Sequence, residues 1–195
     1  MKRIGVYCGS FNPIHIGHLA VANYICEIDG VDEVWFVVTP LNPFKIDCEL
    51  LDDTTRLHLV ELAIGDYPRF HASDFEFHLD KPSYTIFTLE ALKKEYTDYE
   101  FTLIIGADNW LNFNDWHESE KLIMENKILI YPRAGYNIDA TTLPNSVHYI
   151  ENAPIIQVSA TFIRESISGG KDVRFFMHPA VYAEIRAKRF YQKQK

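Results

Sequence analysis

Residues 4–18, IGVYCGSFNPIHIGH, form an apolar run that leads through a turn into the start of a helix. Residues 4–7 have the character of a buried strand, and residues 8–13 are rich in turn formers. Apolar residues then recur at helical spacing from Leu19 to Ile28. Because the next apolar run, Glu33 to Val38, lacks polar alternation, it is typical of a fully buried strand. These segments together predict a β-α-β unit.

The same alternation of strands and helices continues along the chain. Helical spacing and caps predict helices around Leu57 to Ile64, over Thr85 to Glu95, over Glu118 to Asn126 and from Ser159 to Gly169. Asp52 and Asp53 can cap the first of these helices. Apolar runs predict extended segments at Phe70 to Phe77, Phe101 to Ile105 and Lys127 to Tyr131, and residues 132–146 are expected to form a long loop. The fold class is therefore α/β: a Rossmann-like, doubly wound, mostly parallel sheet with helices on both faces. Ligands of such sheets bind beyond the carboxyl ends of the strands.

Length and composition limit the class of protein. The 195 residues, 47% of them hydrophobic, predict a single domain over residues 1–195, whose basic tail at 188–195 is open to fraying. The net charge of -8 argues against a broad surface for nucleic-acid phosphates. No apolar run reaches the 18 residues that a membrane span needs. Three cysteines without a CxxC pair, Cys8, Cys26 and Cys48, favour a reducing cytoplasm.

The loop after the first strand carries two histidines at the start of a helix, which Gly17-His18 is expected to open. His15 and His18 are three residues apart and can therefore face the same bound group. Free N–H groups and the positive dipole end at this helix start favour an anion, and Gly9 permits a close backbone approach. A polar surface turn and a metal-binding pair are the alternatives. Neither GxGxxG nor a P-loop occurs in the chain.

A second cluster of polar residues begins another predicted helix near the end of the chain. Ser159 is a suitable N-cap, and Thr161 and Arg164 fall on one face of the helix. An arginine in a first helical turn opposes the helix dipole, as a protonated histidine does in the first cluster. Two helix starts with the same local conflict suggest that both meet one polyanion. The alternative for this segment is a solvated arginine on an ordinary capped helix.

The pairing of GSFNPIHIGH at 9–18 with SATFIR at 159–164 resembles the nucleotidylyltransferase superfamily. Within it, PSYT at 82–85, IIGAD at 104–108 and Trp116 are similar to motifs of the bacterial nicotinate-nucleotide adenylyltransferases. The resemblance extends from residue 4 to about residue 167. The chain departs from the family pattern at Cys8, where many members have glycine, and at Phe44, where many have histidine. We expect Cys8 to be a small buried filler, not a nucleophile.

This resemblance implies transfer of the adenylyl group of ATP to nicotinate mononucleotide, which gives nicotinate adenine dinucleotide and pyrophosphate. It implies catalytic roles for His15, His18 and Arg164, with Mg²⁺ carried mainly by the ATP phosphates. The residues implied for ATP binding are Gly9, Ser10, Phe11, His15, His18, Gly106, Asp108, Arg133, Ser159, Thr161 and Arg164. No metal ligand is expected among the side chains.

The second substrate needs a carboxylate receptor and a flat face for its pyridine ring. The residues implied for nicotinate mononucleotide are Lys45, Ser83, Tyr84, Thr85, Trp116 and His117. Several have a plain structural alternative: Lys45 as an exposed lysine, Trp116 as a core residue, Asp108 as a cap and Arg133 as a solvated loop cation.

Two other functions are compatible with parts of the pattern. Relatives with the same first motif transfer cytidylyl groups, although the RTxGIST segment that such enzymes usually carry does not occur in this chain. A nucleotide-sensing regulator could retain the pocket without turnover, but a sensor has no need of both transition-state motifs. The expected partners are therefore ATP and nicotinate mononucleotide, with no nucleic acid and no membrane. The sequence carries no signal for an oligomeric state.

Overall fold

The computed structural model describes residues 1–40 and 50–193. Its centre is a six-stranded sheet in the order β3-β2-β1-β4-β5-β6. Every neighbouring pair in this sheet is parallel, which confirms the predicted Rossmann-like architecture. The strands are β1 (Lys2–Gly9), β2 (Glu33–Val38), β3 (Phe70–Ser73), β4 (Tyr99–Gly106), β5 (Lys127–Tyr131) and β6 (Val147–Tyr149).

Helices follow most of the strands, as the crossover connections of a parallel sheet require. Within the described ranges they are α1 (Ile16–Glu27), α2 (Asp53–Ile64), α3 (Thr85–Glu95), α4 (Ala107–Leu111), α5 (Ser119–Glu125), α6 (Ala160–Ser168) and α7 (Pro179–Lys188). Two predicted caps are confirmed by their hydrogen bonds. The Asp52 carboxylate accepts from the Thr55 N–H at 2.9 Å, and the Ser159 hydroxyl accepts from the Phe162 N–H at 3.1 Å.

The hydrophobic core lies in two layers, one on each face of the sheet. One layer joins alternate residues of β2, such as Phe36, to buried residues of α1, α2, α6 and α7. The other joins Trp35 and Val37 of the same strand to buried residues of α3 and α5. This alternation places helices on both faces, because successive side chains of a strand point to opposite sides.

Some local predictions were wrong. The segment predicted to be extended as far as Phe77 leaves the sheet after Ser73, and Phe75–His78 forms a 3₁₀ turn. Helix α1 begins at Ile16, one residue before the predicted Gly17-His18 start, with His15 as its N-cap. Strand β6 and helices α4 and α7 were not predicted, because they are short or carry a weak apolar pattern.

Residues that follow α7 also contribute to the packing of the core. Phe190 and Tyr191, in the tail that was expected to fray, pack against the first core layer. The single-domain boundary at 1–195 stays a prediction. No helix in residues 1–40 and 50–193 is long and apolar enough to cross a membrane.

Candidate active site

The candidate site lies where the winding of the sheet reverses. Strands β1 and β4 are neighbours at the centre of the sheet, and the chain leaves them towards opposite faces. Gly9 ends β1 and Gly106 ends β4. Loops that leave neighbouring strands in opposite directions open a crevice at their carboxyl ends, which is where doubly wound sheets bind ligands.

The loop after β1 contains a buried aromatic residue, Phe11, whose ring packs against His18. Phe11 has a positive φ of 42° and is 3% exposed. Its ring meets the His18 ring edge-on, with centroids 5.1 Å apart, and also packs against Tyr7 and Phe36. The structure therefore places Phe11 in the core beneath His18. Because Phe11 is buried, the ATP contact implied for it would be indirect, through His18.

The two histidines of the first motif form one stacked unit. Their ring centroids are 3.7 Å apart and the rings are nearly parallel. The backbone N–H of His15 donates to Nδ1 of His18 at 3.2 Å. An Nδ1 atom that accepts this bond leaves the proton of a neutral His18 ring on Nε2. Nε2 of His18 is then a hydrogen-bond donor.

His15 is held in its neutral form. It is 2% exposed, and burial, with the nearby Arg133 guanidinium, lowers the pKa of His15 to about 3. A neutral imidazole at the start of α1 does not oppose the helix dipole. Its Nδ1 atom is buried and has no hydrogen-bond partner among the residues that the structure describes.

The second motif lies directly against the first. Arg164 donates from Nη1 to the Asn12 carbonyl at 2.8 Å and from Nη2 to the Thr161 hydroxyl at 3.3 Å. Val158 lies so close to the start of α1 that a Cβ at Gly17 would be 3.0 Å from its Cγ1. The starts of α1 and α6 are thus adjacent. Ser159 and Thr161 are exposed at this junction.

An acidic and a basic side chain face each other on the β4–β5 side of the crevice. Asp108 Oδ1 and Arg133 Nε are 3.5 Å apart, and neither atom has a hydrogen-bond partner within the described residues. A Cβ at Gly106 would lie 2.3 Å from the same Asp108 oxygen, so this position requires glycine for the carboxylate to fold back. Arg133 also lies over the Tyr131 ring. Arg133 is therefore half-buried and paired, not a solvated loop cation.

The residues implied for the mononucleotide gather around the start of α3. Tyr84 precedes the helix and Thr85 is its first residue, while Ser83 is 7% exposed. The Tyr84 ring lies 4.4 Å from the ring of His117, which joins the α3 start to the segment before α5. Trp116 is half-buried. One side of its ring stacks on Phe113 at 5.0 Å. Lys45 and Phe44 lie outside the described residues.

Sequence reasoning missed a buried arginine that connects the loops. Arg56 is fully buried. It donates to the carbonyls of Ser10, Thr39, Pro40 and Leu51 and pairs with Asp53 at 2.6 Å. A signal was available, because position 56 falls on the helical stripe shared by the buried residues of α2, namely Leu59, Val60 and Ala63.

A buried carboxyl group was also missed. Glu76 is 2% exposed, and its Oε1 accepts from the Thr88 hydroxyl at 2.9 Å. Burial raises the pKa of Glu76, and the polar side chains around it, such as Thr39 and Ser83, oppose this rise. Burial and the neighbouring Glu76 hold the pKa of the Cys8 thiol well above its usual range. Cys8 is half-buried and packs against the second core layer, so the expected burial is only partial. Its raised pKa keeps it a thiol, which agrees with the expectation that it is not a nucleophile.

The described side chains include no group of three or more His, Cys, Asp and Glu arranged to hold a metal ion. Apart from the Asp108 carboxylate and the hydroxyls of Ser159 and Thr161, the polar groups of the crevice are histidine rings, guanidinium groups and helix starts. Such groups bind and align phosphates.

Comparison with known proteins agrees with this geometry. The cytidylyltransferase-like family model matches residues 6–166. The probable nicotinate-nucleotide adenylyltransferase of Bacteroides fragilis is 60% identical over 183 residues, covering 94% of this chain and 90% of the relative. The protein of the same name from Bacteroides thetaiotaomicron is 53% identical over 184 residues, covering 94% and 91%.

A solved structure shares the fold at low sequence identity. The nicotinic acid mononucleotide adenylyltransferase of Plasmodium falciparum, complexed with NaAD, aligns with a TM-score of 0.82 at 23% identity and covers 98% of both chains. The extent of the family match and the identity to the two bacterial relatives show that the chain belongs to the cytidylyltransferase-like family, among the nicotinate-nucleotide adenylyltransferases.

Proposed function

We propose that this chain transfers the adenylyl group of ATP to nicotinate mononucleotide. An oxygen of the mononucleotide phosphate attacks the α-phosphorus of ATP, and the bond from that phosphorus to the bridging oxygen of the β-phosphate breaks. The electron pair of the broken bond leaves with pyrophosphate, and the product is nicotinate adenine dinucleotide. The attacking phosphate is already ionised, so the reaction needs no general base. Alignment and charge stabilisation are the remaining tasks.

The observation that carries the proposal is the contact of the two motifs through Asn12 and Arg164. It puts the stacked histidines and the Arg164 guanidinium beside one crevice, although they are remote in sequence. In the proposed arrangement, Nε2 of His18 donates to the α-phosphate as charge develops there. Arg164, with Ser159 and Thr161, binds the departing β- and γ-phosphates.

The adenosine portion is proposed to lie between the first loop and the β4–β5 side of the crevice. Gly9 and Ser10 offer backbone at the end of β1, and Gly106 does so at the end of β4. The Asp108 carboxylate is suited to ribose hydroxyls, which are donors. Arg133 beside it is suited to a phosphate or an adenine ring.

The pyridine end of the mononucleotide is proposed to bind between the start of α3 and Trp116. Backbone N–H groups near Thr85 point out of a helix start and can receive the nicotinate carboxylate, with the backbone of His117 assisting. Trp116 offers a flat face to the pyridine ring. Lys45 is retained as the proposed cation for the mononucleotide phosphate.

Mg²⁺ is proposed to enter as part of the ATP complex. This ion keeps several waters and binds through substrate phosphates with few protein ligands, a behaviour that suits a crevice of histidine and arginine side chains. Chelation by EDTA should stop turnover, and added Mg²⁺ should restore it. Full activity in excess EDTA would refute this part of the proposal.

The cytoplasm is the proposed location. Among the described residues, Cys8 and Cys26 are free thiols, the form that a reducing compartment preserves. Cell fractionation tests this point. Recovery of the protein outside the cytoplasmic fraction would contradict it.

Pyrophosphate release is the experiment that tests the function. We expect release only when ATP and nicotinate mononucleotide are both present. Release from CTP with a phosphorylated alcohol, and none from ATP, would favour cytidylyl transfer instead. ATP binding without release, with every mononucleotide supplied in turn, would favour a nucleotide sensor.

A further inference from the structure

One tyrosine beyond the last helix reaches the centre of the candidate site. The Tyr191 hydroxyl donates to Oδ1 of Asn12 at 2.7 Å. The same oxygen accepts from the backbone N–H of Leu51 at 3.3 Å, and the Asn12 carbonyl accepts from Arg164 at 2.8 Å. Three segments that are remote in sequence therefore meet on Asn12, which lies in the loop between β1 and the two histidines.

The backbone after α7 directs Tyr191 to this place. Arg189 and Tyr191 both adopt left-handed conformations, with φ of 57° and 61°. Residues other than glycine adopt such angles only where surrounding contacts hold them. Here the Phe190 N–H bonds to the Ile185 carbonyl at 3.1 Å, and Phe190 and Tyr191 pack against the core. The backbone bond of Phe190 and the packing of both rings therefore fix the position of Tyr191, and its hydroxyl is held at Asn12.

The Tyr191 hydroxyl lies near two arginine side chains, Arg164 and Arg56. Burial raises the pKa of the hydroxyl well above its ordinary range, while the guanidinium groups of Arg164 and Arg56 oppose this rise. The hydroxyl therefore stays protonated and acts as the donor to Asn12. Tyr191 lies within the electrostatic range of an arginine that holds the first loop and of one that is proposed to bind phosphate.

We propose that Tyr191 is a positioning residue for the ATP half of the site. Its hydroxyl orients the Asn12 side chain, and the Asn12 backbone in turn holds the Arg164 guanidinium beside the histidine loop. Tyr191 itself does not touch the reacting atoms. The inference rests on the proposed function, because it assigns Arg164 to the ATP phosphates.

The test is Tyr191→Phe, which removes one hydroxyl and keeps the ring in its packing. Loss of one hydrogen bond that orients a site corresponds to about threefold to tenfold in affinity. We therefore expect the KM for ATP to rise about threefold to tenfold, with the KM for nicotinate mononucleotide within about twofold of the parent. Tyr182→Phe is the matched control, because the Tyr182 hydroxyl on α7 faces Asp172 and not Asn12. It should leave both KM values unchanged.

A double variant with Arg164→Lys tests whether Tyr191→Phe acts by misplacing Arg164 or by destabilising the whole fold. If Tyr191 acts through Arg164, Tyr191→Phe should have little further effect on the KM for ATP in the Arg164→Lys background. An unchanged KM for ATP in Tyr191→Phe would overturn the proposal. So would an equal rise of both KM values accompanied by a lower Tm, or a full additional rise in the double variant. Failure of the parent enzyme to release pyrophosphate would instead overturn the proposed function, so the two failures are distinguishable.

Discussion

Replacement of Arg56 by methionine should reveal how much the loops around the crevice depend on one buried cation. The side chain is fully buried and makes five hydrogen bonds, four to carbonyls and one to Asp53. Methionine fills a similar volume without donors. Each carbonyl that is left buried and unpaired costs at least about 1 kcal/mol, so four cost about 4 kcal/mol. This value lies within the about 3–5 kcal/mol typical of removing one partner of a buried ion pair.

Denaturant and thermal unfolding measure this loss. For a chain of this size, about 4 kcal/mol corresponds to a fall in Tm of about 8–16 °C. Arg56→Lys should lie between the parent and Arg56→Met, because it keeps the charge but has three donors for five acceptors. Arg3→Met is the matched control. Arg3 also pairs with an aspartate, but its side chain is 53% exposed, so we expect a loss below about 1 kcal/mol.

The difference between Arg56→Met and Arg3→Met tests whether the buried cation holds the loops. If Arg56→Met lowers the free energy of unfolding no more than Arg3→Met does, the carbonyls around Arg56 find other partners. The buried cation would then not hold the loops. A large loss in Arg56→Met with a small one in Arg3→Met would support the reasoning.

Three further predictions concern the site itself. His18→Ala should lower kcat by about 10² or more at saturating ATP while the protein stays folded, because it removes a donor where charge develops; near-parent turnover would contradict this role. The enzyme should prefer nicotinate mononucleotide to the nicotinamide form by at least about tenfold in kcat/KM, and Trp116→Ala should raise the KM for the mononucleotide much more than the KM for ATP. Equal kcat/KM for acid and amide would reject the carboxylate pocket. The folded pKa of His15, about 3, lies below its unfolded value, so His15 stabilises the fold above about pH 6.5 and that stability is lost on acidification. By pH 5 the loss is about 2 kcal/mol, and unfolding of His15→Gln should lack this part of the pH dependence.

Elements with strong local signals could be predicted from the sequence alone. Helix α3 and strand β5 have the predicted bounds, and the Asp52 and Ser159 caps form as expected. These features depend on residues within a few positions of one another, through apolar spacing and local hydrogen bonds. The family was also readable, because its motifs are contiguous stretches of sequence.

Contacts between groups far apart in the sequence became visible only in the folded structure. The bonds of Asn12 to Leu51, Arg164 and Tyr191 join positions that no local pattern relates. The burial of Glu76 is equally hidden, since charged residues in a sequence are expected at the surface. The helical stripe of α2 includes position 56, but the carbonyls to which Arg56 donates could not be read from the sequence. Whether such a group is buried, and what it then bonds to, depends on the packing of loops from several strands. Local sequence fixes the conformation of each loop only in part, and the contacts between loops fix the rest.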